Sequence, residues 1–412
     1  MRAKGGRWLV PSQTNNTKGY IDSFDSTVPN GVDYRCDCAE FQFRHTAPQT
    51  GYCKHIYAVM VTLTAETNAE RTERLAADGT RTVTEKVTTT VTKRTTYKQV
   101  WPAYNAAQTQ GKATFLRLLA DLCAGVPEPE QHMGRKRIPL RDSLFGATFK
   151  VYSTLSGRRF QTDLRDAQTA GHISRAPHYN SLFRCFEDPA LTPILQELVS
   201  VSAAPLASIE DMFAVDATGF TTTRFARWFD HKWGDVKEKR EWMKVHAMVG
   251  TKTQIVTAVD VSHGYANDAP YLAPLTDKTA ETFTLTEVSA DRAYLSRKNF
   301  AAVDKHGAVP FIPFKSNSVA WGIARNTALY RRRFHYFNME RDAFMAQYHK
   351  RSNVEAAFSM MKRKFGDSLR SKTQVAQFNE ALCKVLCHNI CYFIQSIHEL
   401  GITPHFWQEA AA

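Results

Sequence analysis

The sequence predicts an α/β chain of several domains: a mixed sheet flanked by helices in the C-terminal half, preceded by a small cysteine-bearing module and a helical segment. Three observations carry that prediction. From Met212 onward, short β-branched and aromatic runs (MFAVDAT, TRFARWF, WMKVHAMV, QIVTAVDVS, FTLTEVSAD, VPFIPFK) are bounded by Gly, Asp, Asn, Lys and Pro, the pattern of strands joined by turns. After Trp321 the pattern is helical to about Leu400, with Gly366 and Gly401 as breaks, and PYLAPLTDKTA and SRKNFAAVDKHG read as helices among the strands. The start of the chain, by contrast, clusters cysteines, aromatics and glycines with little material for a core of its own.

Taken in order, the first module covers residues 1–65. Its Cys36, Cys38, Cys53 and His55 fall as C-x-C-x14-C-x-H. Two soft-ligand pairs separated by a loop are what a closed tetrahedral Zn²⁺ site requires, and in so small a segment the metal would supply much of the folding energy. Ile56, Tyr57, Val59 and Met60 predict a short helix carrying His55, while His45 in the loop reads as a surface residue. The arrangement resembles the SWIM zinc-binding module at all four ligands, which implies binding to DNA or protein. Residues 66–112, rich in Thr, Lys and Glu, read as a linker. Its TVTEKV and TTTVTK stretches alternate with period two, leaving open an exposed two-stranded ribbon or a lone helical arm. Residues 113–205 are helical and basic: FLRLLADLC, a Pro/Gly/Arg break, then SLFGATFKVYSTL, HYNSLFRCF and LTPILQELVSV. Short helices joined by tight turns in a basic segment resemble helix-turn-helix DNA readers. Residues 206–402 form the mixed α/β domain.

Lys and Arg number 53 against 40 Asp and Glu, a formal charge of +13. Such an excess concentrates polyanions at the surface, so nucleic acid is the expected partner ahead of an anionic membrane. Hydrophobic (43%) and charged (23%) fractions exclude the disordered and collagen-like classes. No run approaches the roughly 20 apolar residues of a membrane span, since Ala381 to Ile397 is interrupted by Lys384, His388, Asn389 and Gln395. The N-terminal apolar run is too short for a signal-peptide core, so a reducing, cytoplasmic setting is expected. Eight cysteines in 412 residues are too few for a disulfide scaffold, and clustered ones read as metal ligands. Cys383, Cys387 and Cys391 are spaced i, i+4, i+8 and read as small apolar residues on one helix face. The glycines form no phosphate-binding loop.

The stretch QYHKRSNVEAAFSMMKRKFG bears most on chemistry. On one helix, Tyr348, Arg351, Glu355 and Lys362 fall at about 0°, 300°, 340° and 320°, a single narrow stripe. Val354, Phe358 and Met361 form a neighbouring apolar stripe that docks the helix on a sheet. Asp216 sits inside the strand-like MFAVDATGF and Asp291 at the end of FTLTEVSAD. An acid in an apolar strand is costly to bury unless it is paired or holds a metal. Three acids from two strand regions and a helix can converge on hard cations, and two Mg²⁺ (or Mn²⁺) ions so held activate water or a 3′-hydroxyl for in-line displacement at phosphorus.

The order Asp216, Asp291, Glu355 on strand, strand and helix, with Y-x2-R-x3-E-x6-K around the last acid, resembles the DDE transposases of the insertion-sequence-four superfamily. DATGF, KWG at Lys232–Gly234, KVHAMV, ANDAPYLAPL and ADRAYLS fit the same layout. The resemblance covers residues 206 to 400 and implies a ribonuclease-H-like catalytic domain. It also implies Asp216, Asp291 and Glu355 as the metal-binding catalytic triad, and Tyr348, Arg351 and Lys362 as contacts to DNA near the scissile phosphate. The implied partner is double-stranded DNA, both terminal inverted repeats and target, with a homodimer or larger assembly holding two ends. The short interval between Asp291 and Glu355 predicts no large inserted strand domain, and the SWIM-like module lies outside the family's core pattern.

Other polar residues have blander readings. Asp260 and Asp268 lie in and after the VTAVDVSHGYAN strand, Asp268 as a supporting site residue, and His246 and His263 read as packing or surface histidines. Arg331, Arg332 and Arg333 with His335 and Tyr336, and Lys362, Arg363 and Lys364, flank the proposed active helix and read as phosphate contacts. Trp228 and Trp233 read as packing residues. The competing functional class is a non-catalytic, domesticated zinc-dependent DNA-binding protein, against which the intact acids argue. A metal-dependent nuclease without strand transfer is a lesser alternative.

Overall fold

A computed structural model of the protein describes residues 2–3, 7–11, 19–25, 33–36, 70–75, 81–86, 100–222, 242–320, 328–403 and 405–407. The chain divides into two compact units, residues 1–97 and 98–412.

In the first unit, β1 (Arg2–Ala3), β2 (Arg7–Pro11), β3 (Gly19–Asp25) and β4 (Asp33–Cys36) form an antiparallel sheet in chain order. Cys36 ends β4, opposite Asp22. Cys38, Cys53, His55 and the helix expected after it lie outside the described residues. Further on, β5 (Glu70–Leu75, ERTERL) and β6 (Arg81–Lys86) pair antiparallel, so the first Thr-rich stretch joins a two-stranded ribbon with an upstream segment, while TTTVTK lies outside the described residues.

The second unit opens with helices α1 (Trp101–Thr109), α2 (Gly111–Ala124), α3 (Leu140–Ser153), α4 (Gly157–Thr169), α5 (Tyr179–Phe186) and α6 (Leu191–Ala203). Helix α4 matches none of the apolar runs read from the sequence. Only Phe160, Leu164 and Ala167 are buried along it, a stripe one residue wide with polar side chains between. Aromatic packing joins these helices: Phe115 stacks on Tyr152 at 3.8 Å, and Phe149 meets Phe160 edge-on at 5.1 Å. The turn between α4 and α5 is tied down by side chains from α3 and α4. Asp142 accepts from the Ser174 and Arg175 N–H groups and the Ser174 hydroxyl, and Gln168 bonds Ser174 and Ala176. Gln161 bonds Pro177 and Tyr179, so α5 is held in a fixed direction.

The sheet consists of β7 (Met212–Thr221), β8 (Trp242–Gly250), β9 (Val256–His263), β10 (Glu287–Ala290) and β11 (Val309–Phe311), in spatial order β11-β10-β7-β8-β9. β7, β8 and β9 are antiparallel neighbours, whereas β10 runs parallel to both β7 and β11. This mixed sheet with helices on both faces is the α/β, ribonuclease-H-like architecture expected. Side chains alternate between faces. Asp216 and Phe220 point to one face, where α11 (Ser352–Phe365) and α12 (Gln374–Leu400) pack, and the Lys362 and Lys384 ammonium groups lie 5.5 and 5.0 Å from the Phe220 ring. Lys244 and His246 point to the other, covered by α7 (Leu272–Ala280) and the short 3₁₀ turn before it, where His246 stacks on Tyr271 at 3.8 Å.

Several elements differ from expectation in extent. Only Glu287–Ala290 of FTLTEVSAD and Val309–Phe311 of VPFIPFK are strand. Prolines 310 and 313 lack the N–H a longer ladder needs. TRFARWF and the tryptophans at 228 and 233 lie outside the described residues. Helices α8 (Arg297–Asp304), α9 (Ala328–Met339) and α10 (Arg341–Tyr348) complete the unit. Between Asp291 and Glu355 the described residues hold β11 and helices, with no inserted sheet. No helix among the described residues is long and apolar enough to cross a membrane.

Candidate active site

Asp216 lies in the middle of β7, whose β10 neighbour ends at Ala290, so Asp291 emerges beside it from the end of a parallel strand. Asp291 caps the 3₁₀ turn Arg292–Tyr294, accepting from the Ala293 N–H. Glu355 sits in the first turn of α11. Two strands and a helix therefore deliver three carboxylates to one end of the sheet.

Tyr348, Arg351, Glu355 and Lys362 do not lie on one continuous α-helix, contrary to the sequence reading. Helix α10 ends at Tyr348, His349–Arg351 form a 3₁₀ turn, and α11 starts at Ser352. The correction has a geometric consequence. At about 120° per residue through that turn, Arg351 eclipses Tyr348, and the four residues fall at about 0°, 0°, 40° and 20°. The stripe survives, and the eclipsing places the Arg351 guanidinium 5.7 Å from the Tyr348 ring. Lys362 lies two helical turns beyond Glu355, over Phe220, away from the acids.

Arg351 organises the centre. Its Nη1 donates to Asp216 Oδ2 at 2.6 Å and its Nη2 to Glu355 Oε1 at 2.7 Å. Burial pushes the Asp216 carboxyl above its ordinary range, the Ala217 N–H and Arg351 pull it down, and Asp291 and Glu355 push it up again. Burial works against the charge on Arg351, but Asp216, Tyr348 and Glu355 outweigh it and hold the guanidinium above its ordinary value. Asp216 is thus within electrostatic reach of both Asp291 and Glu355, with one cation set between it and Glu355.

Among the described residues, no three His, Cys, Asp or Glu side chains are gathered closely enough to hold a metal. The Arg351 fork sits between Asp216 and Glu355 and offsets one of their two negative charges. The donors are nonetheless hard oxygens from carboxylates, the chemistry that divalent Mg²⁺ or Mn²⁺ takes. A buried phenol oxygen beside them, Tyr294 Oη, lacks a hydrogen-bond partner. The residues present fit such ions.

Residues 208–390 match the family model of the transposase DDE domain, and residues 21–63 match that of the SWIM zinc finger. The chain carries a DDE transposase domain. No solved structure matches the chain. The transposase domain encloses all three acids and the Tyr348–Lys362 stripe, and ends within α12. Such a domain implies a transposition enzyme that binds DNA and uses divalent metal, and the SWIM finger implies zinc.

The remaining polar residues of the transposase domain sort by contact. Asp268 accepts from Lys244 Nζ at 2.8 Å, on the face of the sheet away from Arg351. Asp260 bonds Gln196 at 3.1 Å. His246 is fully buried against Tyr271 and Ser262, and burial pushes its imidazole down to about 4, so it packs as a neutral ring. His263 lies exposed against Gln374. Arg333 is turned inward over Phe311 and Tyr336, so the run Arg331–Arg333 does not present all its charges to one partner. Cys383 and Cys387 are buried and pushed well above the ordinary thiol range by burial, as core residues. The sequence reading singled out neither Lys350, which reaches Glu287 at 3.1 Å, nor Tyr294. A signal for the tyrosine was present: it follows Asp291 by three residues in ADRAYLS.

Proposed function

We propose that the protein is a DNA transposase that cuts the ends of its element and joins the freed 3′-hydroxyl to target DNA, using Asp216, Asp291 and Glu355 as catalytic acids. The observation that supports this most directly is that Asp291, at the end of β10, and Glu355, on α11, both act on Asp216 of β7 within a transposase DDE domain, with Arg351 bridging Asp216 and Glu355. When bound, a pair of Mg²⁺ or Mn²⁺ ions would supply Lewis acidity at the scissile phosphate and lower the pKa of the attacking water or hydroxyl.

The protein's own groups do the rest. Asp216, Asp291 and Glu355 would hold the cations. Arg351 and Tyr348, eclipsed at the 3₁₀ turn, face the phosphate between the acids and solvent, where a guanidinium fork matches phosphate oxygens. Lys362, farther along α11, neutralises the DNA backbone. Residues 206–402 are the catalytic domain in this reading. Residues 113–205 contact the element ends through the rigidly mounted α5, whose exposed face carries Asn180 and Arg184 beside Arg175. Residues 1–65 bind Zn²⁺ through Cys36, Cys38, Cys53 and His55, and residues 66–112 link the two. Double-stranded DNA with terminal inverted repeats is the substrate. Two ends must be cut together, so the working form is a homodimer or larger, acting on DNA in the cytoplasm.

Asp291→Ala tests the assignment, because it removes a carboxylate while leaving the sheet intact. DNA cleavage is expected to vanish and DNA binding to persist. Undiminished cleavage by the variant contradicts the catalytic reading.

A further inference from the structure

We infer that Tyr294 is a positioning residue of the catalytic centre, its phenol hydroxyl reserved as a hydrogen-bond donor to the oxygens that surround a divalent cation held by Asp216 and Asp291. The inference rests on the metal-ligand reading of those acids.

Tyr294 ends the 3₁₀ turn that Asp291 caps and is only 1% exposed. Its backbone is pinned, since Asn299 Nδ2 donates to the Tyr294 carbonyl at 2.7 Å and to the Ala269 carbonyl at 2.9 Å. Its hydroxyl has no hydrogen-bond partner. A buried hydroxyl left unpaired is destabilising, and native structures retain few of them without a reason.

The surroundings supply the reason. Burial raises the phenol far above its ordinary range, and the carboxylates acting on it are, in order, Asp268, Asp216 and Asp291, with Arg351 opposing. The phenol therefore remains protonated and can serve as a donor. Each of these carboxylates already has a partner. Asp268 is bonded to Lys244, Asp216 to the Ala217 N–H and Arg351, and Asp291 to the Ala293 N–H. In this state the donor lies among acceptors that are directed elsewhere. Replacing the Arg351 bridge by a cation would bring carboxylate or water oxygens into the centre, giving the hydroxyl an acceptor. Partners of this kind orient metal ligands, and their loss costs about 10–100-fold in metal affinity.

Tyr294→Phe removes only the hydroxyl. Three zinc-loaded full-length proteins, wild type, Tyr294→Phe and Asp291→Ala, are compared by calorimetric Mn²⁺ titration and by thermal unfolding with and without Mn²⁺. Without Mn²⁺, Tyr294→Phe should unfold at the same temperature as wild type or higher, because an unpaired hydroxyl has gone. Its Mn²⁺ affinity should fall about 10–100-fold, its stabilisation by Mn²⁺ should shrink, and its cleavage rate should approach wild type at saturating Mg²⁺. Equal Mn²⁺ affinity in wild type and Tyr294→Phe, with binding lost in Asp291→Ala, overturns the inference and leaves the catalytic reading standing. A lower unfolding temperature for Tyr294→Phe without Mn²⁺ also overturns it, since the hydroxyl would then serve the fold. Unchanged Mn²⁺ binding by Asp291→Ala removes the reading on which the inference rests, and the inference with it.

Discussion

Arg351 is a bidentate bridge between two acids that would otherwise repel one another, and its side chain is 17% exposed against 21% for Asp216. Removing one member of a buried pair leaves an uncompensated charge, at a cost of about 3–5 kcal/mol when burial is complete. Solvent reaches both groups here, so Arg351→Ala should lose about 1–2 kcal/mol in urea unfolding without added divalent ions. An unchanged midpoint would show that the bridge contributes nothing. Arg351→Lys retains the charge but cannot fork to both acids, so it should restore little of the loss. At this scale the sequence was informative where chemistry is local. Asp216 stands out as an acid in an apolar strand, and Glu355 and Arg351 as an i, i+4 pair. The place of Tyr294 beside Asp291 was legible in ADRAYLS, but the burial of its hydroxyl without a partner was not, because that depends on the folded chain.

Among the elements, the segment after α11 shows how that helix is fixed at its far end. Gly366 turns the chain at φ 85°, a conformation that suits glycine, and the following residues run beside the end of β7, with Thr221 N–H donating to the Asp367 carbonyl at 3.1 Å and Leu369 N–H to the Thr221 carbonyl at 2.8 Å. Glu380 accepts from the Arg370 and Ser371 N–H groups, while Lys384 donates to the Gly366 and Ser368 carbonyls, both at 2.9 Å. Arg370 in turn reaches the Thr154 carbonyl at the end of α3, tying the helical region to the transposase DDE domain. In the sequence, Lys384 counted as a polar interruption of an apolar helix, yet it is 2% exposed. Periodicity could not reveal that its amine would find two carbonyls from another segment. The 3₁₀ turn at His349–Arg351 was equally hidden, because its residues have ordinary helical character.

Burial lowers the Lys384 amine from its ordinary 10.5 to about 8. Below about pH 8 the folded and unfolded chains both carry the charge, and the folded state bears the full cost of burying it. Between about 8 and 10.5 only the unfolded chain binds the proton, so this lysine's contribution to stability rises with pH. Relative to Lys384→Met, the wild type should gain up to about 3 kcal/mol between pH 7.5 and 10.5 in urea unfolding. The buried thiols act in the opposite sense, but in both proteins, and cancel in the comparison. Parallel stability profiles for the two proteins would contradict the assignment.

Over the whole molecule, strand grammar and helix periodicity were enough to predict a mixed sheet with helices, because each element of residues 206–402 carries its own pattern. The order of that sheet, with β10 inserted beside β7 rather than β9, came from tertiary pairing and placed Asp291 next to Asp216. The excess of 53 basic over 40 acidic residues fits a chain whose partner is a polyanion. A SWIM zinc finger match, a helical region and a transposase DDE domain stand in one chain, and in the proposed reading the three acids are the point where DNA must arrive.

The most direct test of that account uses a plasmid carrying both flanks of the gene, incubated with the protein and Mg²⁺ beside a second plasmid as target, with product junctions sequenced. The account predicts cuts at two inverted ends and their 3′ termini joined to the target, all absent with Asp291→Ala. Bound but uncut DNA, or cut ends that are never joined, would contradict it.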